Sequence, residues 1–212
     1  MLFVSLFHYS YTIAVAGSTG GLGSELVFQT LFERKTNVIG ISRKNRNVHH
    51  PFRDGGINKD STFIKKEIIH PNLRNILISD SDVDNLTYDA LFLCMTAEPF
   101  QDDNCYLTTA KLCSNLPERC KSICLISYYG VQNYNPVNVG KYGMNNWYLK
   151  STSDSKQLEE VIVTKCANLK KINYMITRPN VLSYGKTLIP SIARETLARD
   201  ILNWTFEILD ES

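Results

Sequence analysis

The sequence predicts an α/β fold in which a doubly wound parallel sheet lies between two layers of helices. Three observations carry this expectation. Short, uncharged, β-rich segments alternate with amphipathic helical ones along the whole chain. One of them, 89–95 (DALFLCM), is a near-continuous apolar run of the kind buried on both faces of a parallel sheet. The first strand, finally, runs straight into a glycine-rich turn that opens a helix.

That strand is 12–16 (TIAVA), and Gly17-Ser-Thr-Gly20-Gly21-Leu-Gly23 follows at once. A helix then spans 24–32, with Leu22, Leu26, Val27 and Leu31 apolar. A strand entering such a turn gathers backbone N–H groups at the positive end of the helix dipole, which makes an anion site suited to the diphosphate of a dinucleotide. The spacing Gly17-x-x-Gly20-x-x-Gly23 departs from the usual G-x-G-x-x-G. In this context the arrangement predicts a Rossmann-like, three-layer α/β/α domain. Gly17, Ser18, Thr19, Gly20, Gly21, Leu22 and Gly23 are its candidate cofactor-binding residues.

A second strand, 37–42 (NVIGIS), ends in Ser42-Arg43-Lys44-Asn45-Arg46. An acid at that tip would accept hydrogen bonds from a free ribose 2′-hydroxyl. Here there is none, and guanidinium and ammonium groups suit a 2′-phosphate. Ser42, Arg43 and Lys44 therefore point to NADP, with NAD the alternative and a solvated basic loop the plain structural reading. From 34 to 66 there are nine Lys and Arg against two acids, yet no aromatic interleaving or nucleic-acid module accompanies them, so nucleic acid is not the expected partner. Residues 45–61 read as loop, and 49–50 (His-His) as part of it.

The third strand is open between 63–69 (FIKKEII) and 75–79 (NILIS), with 80–85 a loop. The fourth is 89–95. A helix is expected over 101–115, with Tyr106, Ala110 and Cys113 facing inward and Pro117 ending it. The fifth strand is 122–127 (SICLIS), followed by a polar loop to about 151. Over 154–169, Asp154 and Gln157 form a capping-box pattern, and Leu158, Val161, Ile162, Cys166 and Leu169 share one face. A sixth strand, 172–177 (INYMIT), stops at Arg178-Pro179, and a last amphipathic helix covers 192–206.

At 212 residues, with 43% hydrophobic and 21% charged residues, the chain is expected to be one domain with its core over 11–206. A net charge of +2 implies no general attraction to polyanions. The six cysteines (94, 105, 113, 120, 124, 166) have no C-x-x-C or zinc-like spacing and read as reduced, buried thiols; no metal site is expected. The apolar start lacks a basic n-region and runs into the phosphate turn, so the chain reads as unprocessed, cytoplasmic and without a membrane span.

Several separated segments resemble the atypical short-chain dehydrogenases/reductases, in particular the small NAD(P)H-binding group of flavin/biliverdin-type reductases and redox-sensing regulators. They are AGSTGGLG (16–23), YDALFLCM (88–95), ICLISYYGV (123–131), SKQLEEVI (155–162), YMITRPNVL (174–182) and SIARETLARDIL (191–202). The resemblance implies that Cys94, Met95 and Thr96 line the cofactor. It also implies that Ser127 faces the nicotinamide, and that Pro179, Asn180 and Val181 pack near it. It makes Ser127 and Lys156 the candidate catalytic residues. The Tyr-x-x-x-Lys pair of the classical members is absent: four residues before Lys156 stands Thr152, and Tyr148 is out of register. Tyr128 and Tyr129 read as cleft wall or core. Lys156 has a plain alternative as an exposed lysine paired with Glu160, and Arg178 reads as structural. The expectation is a reductase that passes a hydride from NADPH to a conjugated small-molecule acceptor such as a flavin or quinone. The alternative is a non-catalytic NADP(H)-binding sensor acting through a protein partner. Either is expected to be a monomer or homodimer.

Overall fold

The computed structural model describes residues 11–44, 47–51, 65–95, 104–127, 146–179, 182–183 and 192–212; the side chains of 51, 65, 146–153, 182–183 and 192 lie outside that description. A parallel sheet of six strands forms the centre. Its strands are β1 (Thr12–Ala16), β2 (Asn37–Ser42), β5 (Leu73–Leu77), β6 (Ala90–Leu93), β7 (Ser122–Ile126) and β8 (Asn173–Thr177), in the order β5-β2-β1-β6-β7-β8. β3 (His49–Pro51) and β4 (Lys65–Glu67) form a separate antiparallel pair, and β9 (Leu182–Ser183) pairs with β10 (Ile192–Ala193). The helices are α1 (Gly21–Phe32), α2 (Cys105–Ser114), α3 (Asn146–Lys170) and α4 (Arg194–Asp210), with a 3-10 turn at Ser81–Asn85.

Strand periodicity divides the core in two. Ile13, Val15, Ala90, Phe92, Cys124 and Ile126 pack on one side, against Leu22, Leu26 and Leu31 of α1 and Leu197, Ala198 and Ile201 of α4. Their sequence neighbours Ala14, Ala16, Leu91, Leu93, Ile123 and Leu125 pack on the other side, against Leu112 and Cys113 of α2 and Val163 of α3. Successive strand residues point to opposite faces, so only an apolar run can fill both cores. The doubly wound, three-layer α/β/α fold is as the sequence predicts. Asp89 closes the sheet at the strand starts: it accepts from the Thr12 amide at 2.8 Å and from Arg119 Nε and Nη2 at 2.7 and 2.6 Å.

The structure settles what the sequence left open, and corrects several details. The third strand of the sheet is Leu73–Leu77, in register with β2. The rival segment contributes only β4, which pairs with the histidines expected in a loop. His50 is buried there, stacked on Phe28 at 4.2 Å with Nε2 2.6 Å from Glu25. α3 begins at Asn146, so Asp154 lies inside the helix and does not cap it. Its inward face is Ser155, Lys156, Glu159, Val163 and Ala167, a run at helical spacing. Ile162 and Cys166 sit partly buried at its margin, while Leu158, Val161 and Leu169 are exposed at 47%, 49% and 84%. Buried ion pairing, invisible to a hydrophobicity pattern, displaces that pattern here. α2 buries Cys105, Thr109, Leu112 and Cys113, with Tyr106 and Ala110 only half-buried. α4 starts at Arg194 because Ile192 and Ala193 are strand. Among the described residues no helix is long and apolar enough to cross a membrane.

Phe92 is fully buried at the centre of the α1/α4 core. Phe92→Ala is expected to lower unfolding stability by about 3–5 kcal/mol, read from urea titration.

Candidate functional site: a glycine-lined cleft at the sheet's switch point

β1 connects outward through α1 to β2 on one side, while β6 lies on its other side. The crevice between the carboxyl ends of β1 and β6 is where ligands enter open α/β sheets. Gly17 begins the turn there with φ +84°, a left-handed conformation that favours glycine. A Cβ on it would lie 2.7 Å from the Cys94 carbonyl oxygen. Its amide donates to Ile41 O at 2.9 Å, and its own carbonyl accepts from the Gly20 amide at 2.9 Å. A Cβ on Gly23 would fall 2.1 Å from that same Gly17 oxygen. Gly17 thus supplies the turn, and Gly23 lets α1 pack directly upon it.

The N-terminus of α1 has the features of an anion site. Gly20 is its N-cap, no side chain caps it, and its first turn carries no acid. The first-turn amides of an α-helix have no acceptor within the helix and point out of its N-terminal end, where the positive end of the dipole lies; Gly20, at that end of α1, lines the cleft. A cleft open to solvent lies in front of this turn. Gly17, Thr19 and Gly20 form its floor; Ser42, Arg43 and Lys44 form one rim; Cys94 and Met95 form the opposite wall. Expected cofactor-binding residues from three distant stretches of the sequence therefore meet in one place. Ile41, Ile78 and Thr108 also line it and were missed. Ile78 follows the strand whose position the sequence left open, and Thr108 faces the cleft only through the packing of α2.

Other predicted residues stand beside the cleft and not on its surface. Ser18 is buried, with its hydroxyl 3.4 Å from Ile41 O, and Leu22 is core. Gly21 is exposed at the helix start. The Ser42 hydroxyl donates to Lys44 O at 2.6 Å and so shapes the basic rim, leaving Arg43 and Lys44 exposed upon it. Pro179 is buried after β8. Thr96, Asn180, Val181, Tyr128 and Tyr129 lie outside the described residues, as do the side chains of Tyr148 and Thr152.

Two polar clusters sit along α3; the first holds the cleft wall, and Glu160 and Arg178 of the second line a separate pocket. Lys156 is only 2% exposed, so it is not the surface lysine of the plain reading. Its ammonium donates to Met95 O at 2.6 Å and pairs with Glu159, not Glu160, at 3.1 Å. Glu159 also accepts from the Thr109 hydroxyl at 3.1 Å. Lys156 thereby holds the cleft-wall residue Met95 through its backbone. Glu160 belongs to the second cluster. It accepts from Arg178 Nε and Nη2 at 2.8 and 2.7 Å, and from the Ser127 hydroxyl at 2.5 Å. Burial pushes the Glu160 carboxyl up, but the bonds from Arg178 and Ser127 outweigh it and hold the pKa below its ordinary value. The Arg178 guanidinium is raised in turn by its bonds to Glu160. An ionised carboxylate only accepts, so the Ser127 hydrogen is directed at Glu160. Burial also pushes the Cys94 thiol up to about 12 despite the opposing charge of Lys156, so its thiolate is scarce at neutral pH. Among the described residues no group of ligating side chains is placed to hold a metal ion.

No protein-family model matches the sequence, and no curated protein matches it either. Solved structures do match. One is a short-chain dehydrogenase/reductase from Veillonella parvula DSM 2008, at 14% identity and TM-score 0.63, covering 92% of this chain and 86% of that one. Another, described as wide type and in complex with NADP, is from the same organism, at 13% identity and TM-score 0.59, covering 91% and 86%. An anaerobillin reductase from Escherichia coli O157:H7 matches at 14% identity and TM-score 0.56, covering 91% and 89%. The chain thus has the Rossmann-type fold of short-chain dehydrogenases/reductases.

The Glu160 cluster has a pH signature. A carboxyl with a lowered folded-state pKa contributes stability that is fully present above the ordinary value of 4.5 and is lost as pH falls through the folded value. Urea midpoints measured from about pH 7 to about pH 3 are expected to fall less steeply on the acid side for Glu160→Gln than for the wild type. Parallel curves would mean that Glu160 is not held ionised in the fold.

Proposed function

We propose that the cleft binds NADP(H) and that the protein is an NADPH-dependent reductase of a small conjugated acceptor of the flavin or quinone type. The observation that carries this reading is the meeting of two anion-seeking elements in one cleft: the uncapped, acid-free N-terminus of α1 and the Arg43–Lys44 rim. Their chemistry fits a diphosphate and a 2′-phosphate respectively. NADP in the structurally similar Veillonella parvula protein, and in a short-chain dehydrogenase from Burkholderia cenocepacia J2315, supports the choice. The reductase activity of the Escherichia coli neighbour supports the reaction class. Buried free thiols fit a reducing, cytoplasmic setting.

In this reading Gly17, Thr19 and Gly20 cradle the diphosphate, Arg43 and Lys44 hold the 2′-phosphate, and Cys94 and Met95 wall the route toward the nicotinamide. The bound coenzyme supplies the hydride; the chain supplies binding and orientation. Ser127 is braced by Glu160 and Lys156 is consumed in holding Met95, so neither donates a proton to substrate. The acceptor is then one whose reduced form takes its proton from water, which favours flavins and quinones over ordinary ketones.

Titration with NADPH and NADH tests the cofactor. Arg43→Ala is expected to weaken NADPH by about 1.5–3 kcal/mol, the scale of a charge-assisted hydrogen bond, and to leave NADH nearly unchanged. Equal weakening of both would remove the 2′-phosphate assignment. The commitment of Ser127 and Lys156 to internal partners favours a second reading, a non-catalytic NADP(H) sensor acting through a protein partner. Steady-state oxidation of NADPH with a panel of flavins and quinones separates the two. Turnover is expected, and tight NADPH binding without turnover would leave only the sensor.

A further inference from the structure

α2 and α3 pack side by side on one face of the sheet, and each carries a cysteine at the shared surface. Cys113 is 3% exposed in the last turn of α2. Cys166 lies 53 positions later on α3, and its thiol donates to the Cys113 carbonyl oxygen at 3.2 Å. Of the six cysteines the other five are buried, and Cys166 alone is partly exposed.

We propose that Cys113 and Cys166 are a dithiol site that hydrogen peroxide converts into a disulfide joining α2 to α3. Three observations combine. Cys166 is the most exposed of the six cysteines, the other five being buried. Its sulfur rests on the backbone of the residue that carries the second thiol, 3.2 Å from its carbonyl oxygen, and each thiol perturbs the titration of the other. Both sit on well-formed helices, so the encounter is held in place by packing. Cys120 is also close, but its sulfur is turned to the Ser122 carbonyl oxygen at 3.5 Å and it is 1% exposed.

The chemistry balances in two steps. The Cys166 thiolate attacks one peroxide oxygen, the O–O bond breaks, and hydroxide leaves, giving the sulfenic acid. The Cys113 sulfur then attacks the Cys166 sulfur, the S–O bond breaks, and the hydroxyl leaves as water with the Cys113 proton. Two thiols are oxidised, one peroxide is reduced, and two waters form. Burial pushes both thiols up, so the reacting thiolate is scarce at neutral pH and the first step quickens as pH rises. The bond would fasten α2, which lines the cleft with Thr108, to α3, which holds Met95 through Lys156. The inference concerns this helix pair and does not depend on the cofactor assignment.

Trypsin separates the three neighbouring thiols, because Lys and Arg place Cys113 in peptide 112–119, Cys120 in 120–121 and Cys166 in 166–170. The folded wild-type protein is treated with hydrogen peroxide, quenched by alkylation, and digested without reductant for mass spectrometry. The expected result is peptide 112–119 linked to 166–170, with the link gone after reduction. In Cys113→Ala, Cys166 is expected to persist as a sulfenic acid trapped by dimedone. A link from 166–170 to 120–121, or Cys166 carried to sulfinic acid in the wild type with Cys113 still alkylated, would overturn the proposal. The wild-type map decides the question even if the variant fails to fold.

Discussion

The close approach of helix α1 to the turn that precedes it governs the arrangement of the site. Gly17 O accepts from the Gly20 amide, and Gly23 passes so near that oxygen that a methyl group there would overlap it. This contact presses the start of α1 against the end of β1 and sets Gly17, Thr19 and Gly20 across from Cys94 and Met95 in the crevice beside β6. The Gly17 turn also leaves no room for a side chain against Cys94 O. One tight backbone packing therefore sets the floor of the cleft and its distance from the opposite wall.

The cleft wall depends on a buried ion pair. A lysine and a glutamate are buried between α3 and the sheet, where unpaired charge would be very costly. They persist because each finds more than one partner: Lys156 takes Met95 O and Glu159, and Glu159 takes Lys156 and Thr109. Glu160, one residue on, turns toward the strand ends and gathers Ser127 and Arg178. Adjacent glutamates on one helix thus serve two clusters, because neighbouring positions are rotated by about 100° around its axis. The residues that resemble a catalytic serine and lysine are the ones most fully committed to internal hydrogen bonds. Binding and orientation, more than proton transfer, are what such an arrangement supplies.

Much of this fold is legible from local pattern. The limits of β1 and β2 coincide with their apolar segments, and the glycine turn announces the α1 cradle. The apolar run at β6 announces a sheet covered on both faces. The basic tip after β2 and the residues after β6 were also readable, since each sits at a strand's carboxyl end in a known topology. α3 was not. Its hydrophobic stripe through Leu158, Val161 and Leu169 suggests one buried face, yet the structure buries another. A pattern of apolar residues records where burial is cheap, and it cannot register charges that become affordable only when their partners arrive from other elements.

The sequence by itself determined the class of fold, the order of its strands' chemistry and the anion-seeking turn, because these depend on residues close together in the chain. The tertiary structure alone decided which segment became the third strand, which face of α3 turned inward, and that Ser127, Glu160 and Arg178 form one unit. Those outcomes rest on contacts between positions tens of residues apart. Their energies come from pairing and desolvation in a shared interior, and no local window of sequence contains both partners.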